Sequence, residues 1–538
     1  GNTGVGTGVF GALTTGDNNV AVGLNALDVN TTGSENVAVG MGALDTNTTG
    51  AGNISIGCGS MSANVSGNYN VAIGRCALDT SVSGSANVAI GDRALYTNTA
   101  SYNTSVGFFS LAANTTGASN VAVGTNVLSV NTSASNNTAV GKDSLKANTT
   151  GADSTAVGFE AMFTNTTGCR NTAFGKRALK LNTVGCDNVG IGLNSLCANT
   201  TGDFNTGIGF ASLQSNTTAD NNTGLGYYAL QANTTASNNT AVGCGAGAAN
   251  TTGVSNTAVG HAALNDNTTA SNNTAIGMNS LAVTTTGCQN TAVGAGAMDT
   301  NSTGDNNVAV GFSALDANTT ADKNTAVGHS ALKANTTGTR NTAVGFCSLT
   351  TNTTGDDNTA FGNDSLRSNT EGANNVAIGK NALVSNTTGD ENTAVGCNAL
   401  GANTTANNNT AIGSFALDTN TEGHSNVAVG RSALTANTTA DNNTAVGFDS
   451  MKANTTGSEN TALGISSSYS NTTGSCNVAL GRNALYTTTT GGQNIAIGTA
   501  ALYSNTTAIN NTAVGSNALL SNTTGTDNVA LGFCALNA

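Results

Sequence analysis

A 17-residue unit, Asn-Thr-Ala-Val-Gly-x-x-Ala-Leu-x-x-Asn-Thr-Thr-Gly-x-x, fills this chain from Asn2 to its last residue. It starts 32 times: at Asn2, Asn19, Asn36, Asn53, Asn70 and Asn87, then, after one residue is lost in the turn Thr99-Ala100-Ser101, at Asn103 and every 17 residues to Asn528. A fixed period means near-identical coils that stack and bury one another's faces. A strand with a returning helix needs roughly 20 or more residues, whereas this period fits two short strands and two turns. The sequence therefore predicts an all-β fold, a parallel β-solenoid or β-roll of about 32 coils, continuous over residues 1–538 with no separate caps or globular domains. At ~4.8 Å per coil it is expected to be a rod about 150 Å long.

The chain supplies its own alignment, with positions counted from the Asn that opens each unit. Proline is absent, as a continuous sheet requires, because each Pro would remove a ladder hydrogen bond. Position 5 is Gly in every copy, from Gly6 and Gly23 to Gly532. Position 4 is always Val, Ile, Leu or Phe, position 2 always Thr, Val or Ile, and position 3 always Ala, Ser or Gly. Side chains alternate across a strand, so positions 2 and 4 share a branched face while 3 and 5 share a tiny one. The tiny face is expected to meet another backbone closely.

Charge marks the outside. All 16 Lys and Arg lie at positions 6, 7, 10, 16 or 17, and the 29 acids do too, except Asp266, Glu371 and Glu422. Position 9 is Leu or Met in most coils and is vacated at Gly247 and Ser468, which marks those coils as the weakest. One Val and one Leu buried per coil offset only part of the ordering cost, so lateral packing is expected, with the tiny face as contact. The predicted partner is a second copy of the chain, in a lateral trimer and end to end.

The run Asn87-Val88-Ala89-Ile90-Gly91, repeated as Asn273-Thr274-Ala275-Ile276-Gly277, resembles the head repeat of trimeric autotransporter adhesins. The resemblance implies a left-handed parallel β-roll, association of three chains, and an extracellular fibre on a cell surface. This repeat is longer than the family's, by the Asn-Thr-Thr-Gly turn, and the family's coiled-coil stalk and membrane anchor are not in the sequence. A viral or phage fibre with similar repeats fits equally.

No apolar run of 18 or more residues is present, so no membrane insertion is expected in this segment. Both ends stop inside the repeat, which suggests a fragment of a longer chain or ends that meet other subunits. A net charge of −13 and a pI near 4.4 argue against nucleic acid, which needs a basic stripe.

Catalytic readings fail, and no enzyme, cofactor or metal site is expected. Gly6-Thr7-Gly8-Val9-Phe10-Gly11 matches a dinucleotide fingerprint, but no helix pattern or following acid supports it. His261, His329 and His424 occupy outer positions of separate coils. Cys169 and Cys186, both at position 16 of adjacent coils, fall within disulfide range, and Cys58 and Cys76 are close in phase. Oxidised staples suit a secreted fibre, and solitary cysteines at variable sites are neutral substitutions; both readings stand.

Position 12 opens glycosylation sequons, including Asn30, Asn47, Asn114, Asn148, Asn335 and Asn454. Glycans on every coil would collide, so hydrogen-bonded Asn and Thr ladders are the preferred reading, with sparse glycans as the alternative. The function expected is a structural extracellular fibre or filament. An adhesin or viral receptor-binding shaft is the alternative. An ice-binding rod is the third reading, since Thr at positions 13 and 14 forms rows, which Glu371 and Glu422 interrupt.

Overall fold

A computed structural model describes residues 1–537. They fall into two compact units, Gly1–Ala270 and Ser271–Ala538. The first contains strands β1 (Thr3–Val5) to β16 (Thr257–Val259), the second β17 (Thr274–Ile276) to β32 (Val529–Leu531). Each strand is three residues long and consists of positions 2 to 4 of one repeat. Within each unit successive strands pair in parallel and in register, as in Val308↔Thr325, Ala309↔Ala326 and Val310↔Val327. The parallel β-solenoid expected from the period is the fold.

One expectation fails: each coil holds one β-strand, not two. Positions 7, 9 and 17 stand in the left-handed region, for instance Asn381 (φ 57°), Leu383 (φ 50°) and Glu391 (φ 57°), and position 5 has a wide positive φ that Gly adopts freely. The backbone from position 5 to 9 thus alternates in the sign of φ, and its N–H groups donate first to one neighbouring coil and then to the other. In the coil opening at Asn324, the Gly328 and Ser330 N–H groups donate to the preceding coil, at Val310 O (2.8 Å) and Phe312 O (2.9 Å). Those of Leu332 and Ala334 donate to the next, at Ser348 O (3.0 Å) and Thr350 O (2.9 Å). The returning side is therefore a hydrogen-bonded track without β geometry. Glycine is obligatory at position 5 on a second count, because a Cβ on Gly345 would stand 2.5 Å from the Gly362 carbonyl oxygen.

The core reverses a second expectation. Position 3, expected to contact another chain, lies inside the coil: Ala309, Ala326 and Ala343 are fully buried, with Ala331 and Leu332 of positions 8 and 9. A coil of this length is too thin for anything larger. At Gly190, also in column 3, an added Cβ would touch Leu179 Cγ of the preceding coil at 3.2 Å. Columns 2 and 4, which the sequence reading buried, face outward.

Leucine at position 9 fills this narrow core despite its left-handed backbone, which costs a non-glycine residue about 1–2 kcal/mol. The two coils without it differ. Gly247 relieves the backbone strain, and Leu230 of the preceding coil closes on it, since an added Cβ would stand 3.1 Å from Leu230 Cδ2. Ser468 keeps the left-handed φ of 50° and buries a hydroxyl that has no hydrogen-bond partner.

The shortened repeat, Asn87–Tyr102, is absorbed without a register slip, since Val88 still pairs with Thr104. Ala100 O takes the place of the position 15 carbonyl, accepting from Asn87 Nδ2 (3.0 Å) and Asn98 Nδ2 (2.7 Å).

Replacing Ser468 by Leu should raise the stability of the second unit by about 2 kcal/mol, since it removes an unsatisfied hydroxyl and fills the core. Urea denaturation followed by circular dichroism measures this, and an unchanged midpoint would contradict the account of column 9.

Candidate interaction surface

The sequon asparagines are the interior of the fold. Asn30, Asn47, Asn114, Asn148, Asn335 and Asn454 are all fully buried. Asn335 Nδ2 donates to Asn318 Oδ1 of the preceding coil (3.0 Å) and to Gly338 O of its own turn (2.9 Å), while its Oδ1 accepts from Asn352 Nδ2 (2.9 Å). Asn148 and Asn454 repeat this pattern. Position 1 forms a second ladder: Asn341 N–H donates to Asn324 Oδ1 (2.9 Å), and Asn324 Nδ2 to Gly338 O (2.9 Å). Both ladders thus converge on the position 15 carbonyl. A glycan at any of these Nδ2 atoms needs its coil opened. Threonine at position 13 is committed too, with Thr336 Oγ1 donating to Thr353 O at 3.0 Å. Of the two Thr rows considered for ice, only position 14 is left well exposed, and Glu371 and Glu422 stand in it.

Position 16 is a third ladder, on the outside. Where the next coil carries a polar side chain at this position, the N–H donates to it, as in Asp203 N to Asp220 Oδ1 (2.8 Å) and Asp220 N to Ser237 Oγ (3.0 Å). That explains the short polar residues of this column. Cys169 and Cys186 belong to it: Cys169 N–H donates to Cys186 Sγ (3.1 Å), and the two sulfurs lie 2.8 Å apart. The hydrogen bond with Cys186, then burial, pushes the Cys169 thiol up to about 11. His424 occupies the same column and accepts the Asn407 N–H at Nδ1 (2.9 Å). His329 stacks between Phe312 and Phe346, with centroids 5.3 and 5.1 Å away, and His261 stands exposed in column 6. Gly6 of the dinucleotide-like run closes β1 as the repeat glycine does elsewhere. A shallow groove of about 360 Å³ opens where Gly401 leaves space beside Val384 and Asp418. Burial raises the Asp418 carboxyl above the usual range.

The surface that sequence reasoning missed is the outer face of the sheet. Columns 2 and 4 carry Thr, Val, Ile, Leu or Phe and no charge in any coil. Ile378 and Ile412 are 40% and 41% exposed, and Phe361 56%. Column 6 extends this face with exposed Phe108, Tyr227, Met278, Phe312, Phe346 and Phe448. The signal was present in the sequence, because a solvent-facing column free of charge through 32 copies is unusual for a bare surface.

Its two edges differ in sign. Column 6, after the strand, holds Arg75, Lys142, Lys176, Lys380, Arg431 and Arg482 against one acid, Asp92. Columns 16 and 17, before the strand, hold fifteen acids against Arg170, Lys323 and Arg340. Some pair along the stack: Arg340 meets Asp357 of the next coil at 2.6 Å and holds its carboxyl below the usual range.

The chain matches no known family model, and comparison with curated proteins finds no significant relative.

Replacing Asn335 by Ala removes two donors and one acceptor from a buried ladder, so it should cost about 2–4 kcal/mol of stability in urea. Expression in a glycosylating eukaryotic host should yield folded protein with Asn335 and Asn454 unmodified, as read by peptide mass mapping. A glycan found at either position would show that the ladder opens.

Proposed function

We propose that the chain is the structural subunit of an extracellular fibre or filament, assembled by parallel self-association of copies through columns 2 and 4. The observation that carries the reading is the uncharged, half-exposed face repeated in every coil. Exposed apolar patches of this extent mark association sites, and interface cores are depleted of charge and enriched in aromatic residues. Sixteen strands at ~4.8 Å with a face about 10 Å wide give roughly 770 Å² per unit, close to the ~800 Å² each partner contributes to a standard interface. The edges supply orientation. When two copies face each other in parallel, the basic edge of one meets the acidic edge of the other, whereas an antiparallel pair would set like charges together.

The resemblance to trimeric adhesin heads supports three copies around a common axis, with columns 2 and 4 turned inward. An adhesin or a viral receptor-binding fibre is the finer version of the same reading, with these coils as its shaft. The reading gives the chain no catalytic role.

Sedimentation tests it. The wild-type chain should sediment as a multiple of 52.6 kDa. Double replacement of Ile378 and Ile412 by Lys should leave the circular dichroism of the coils unchanged and shift the protein toward single chains. A wild-type chain that remains single at micromolar concentration overturns the proposal. Deleting one whole repeat, Asn324–Arg340, should leave assembly intact, whereas loss of assembly confined to one internal deletion would indicate a local site.

A further inference from the structure

Ser154 is the one residue that breaks the asparagine column at position 1. In the next coil, Asn171 Nδ2 donates to Gly185 O at 2.8 Å and Asn171 Oδ1 accepts the Asn188 N–H at 2.9 Å. Serine does less. Its Oγ accepts the Asn171 N–H at 3.2 Å and donates to Ala152 O at 3.3 Å. Among the described residues, Gly168 O then has Asn165 Nδ2 (2.9 Å) as its side-chain donor, where most coils supply two. The coil opening at Ser154 thus keeps its bonds to both neighbours and is short of one buried bond, the one that ties position 1 to the turn at Gly168.

The outer wall between this coil and that of Asn171 is heavily tied. Arg170 forms two bonds to Asp187, at 2.7 and 2.8 Å, and Glu160 accepts from Arg177 at 3.0 Å and pairs with Lys180 at 2.8 Å. Next to the Arg170–Asp187 pair, one position earlier in each coil, lie the sulfurs of Cys169 and Cys186, 2.8 Å apart. The column places them there. Each position 16 side chain points back at the same position of the preceding coil, so a cysteine in both coils sets sulfur on sulfur. Cα atoms of directly stacked parallel residues, ~4.8 Å apart, fall within the spacing a disulfide needs.

We propose that Cys169 and Cys186 are a redox pair whose disulfide staples the turn at Gly168, which lacks its position 1 asparagine donor, to the coil of Asn171 and so compensates the missing asparagine. The occurrence of the bond in the native protein rests on the extracellular reading, since disulfides persist in oxidising compartments. The oxidant is a small-molecule disulfide. One protein thiolate attacks it, releasing one thiol and leaving a mixed disulfide; the second thiolate attacks that protein sulfur, closes the Cys169–Cys186 bond and releases the second thiol. The two cysteines lose two electrons, the reagent disulfide gains them, and the two protons leave on the released thiols.

The full chain would be incubated with oxidised glutathione or with dithiothreitol, alkylated with iodoacetamide and cut with trypsin, which cleaves after Arg170, Lys176, Arg177 and Lys180 between the two cysteines. A linked peptide pair in the oxidised sample alone is expected. Hydrogen exchange at Thr172 and Asn171 should slow at least tenfold on oxidation, and in the Cys169→Ser variant it should not respond. Ser154→Asn in the reduced chain should slow the same amides. Two alkylated cysteines after glutathione treatment overturn the pairing, and an unresponsive Ser154→Asn overturns the compensation. Because the oxidant is supplied in vitro, a pair that links in the tube but is reduced in protein from its natural source counts against the extracellular reading and leaves the staple standing.

Discussion

The structure depends on the hydrogen bond between one coil and the next, and above all on the buried asparagine ladders. An apolar core reduced to Ala, Ala and Leu per coil offers little area, so burial alone cannot hold the chain. Asparagine supplies a donor and an acceptor on one short side chain. At positions 1 and 12 it bridges adjacent coils and its own turn at once, so that backbone groups otherwise stranded in the interior are satisfied. The near-constancy of these columns is the mark of that accounting, and it lapses at Ser154 in position 1 and at Ser81, Thr284 and Thr488 in position 12, where Asn64, Asn267 and Asn471 of the preceding coils keep an Oδ1 without a donor.

The period made the fold legible, because 17 residues leave room for little besides a β-coil. The charge map separated turns from interior. What the sequence did not disclose was which strand face looks inward, since both faces are restricted, for different reasons. Ala309 is small because the coil is narrow, and Val308 and Val310 are uncharged although they look outward. Left-handed leucines such as Leu315 (φ 54°) were also hidden, because a non-glycine residue there contradicts local preference and is held only by the packing around it.

The site was legible in part. The phase of Cys169 and Cys186 predicted their proximity, and the ladder reading of the Asn-Thr-Thr run anticipated the bonds of Asn335 and Thr336. The outward apolar face was misplaced by the same ambiguity that misplaced Ala309. Once the strand is turned over, the column free of charge and the contact surface for further copies become one feature, edged by the basic side chains of column 6 and the acids of columns 16 and 17.

The shortened repeat at Asn87–Tyr102 has a consequence for how such a chain changes over generations. Its turn loses a residue and the strands on either side keep their pairing, because Ala100 O receives both asparagine amides. Errors of copying within a turn are thus confined to that turn. Unequal recombination between nearly identical stretches of the gene adds or removes whole coils, and each new junction stacks the same columns in the same register. Length is therefore a property that selection can adjust in uniform steps, with little need for compensating substitutions elsewhere.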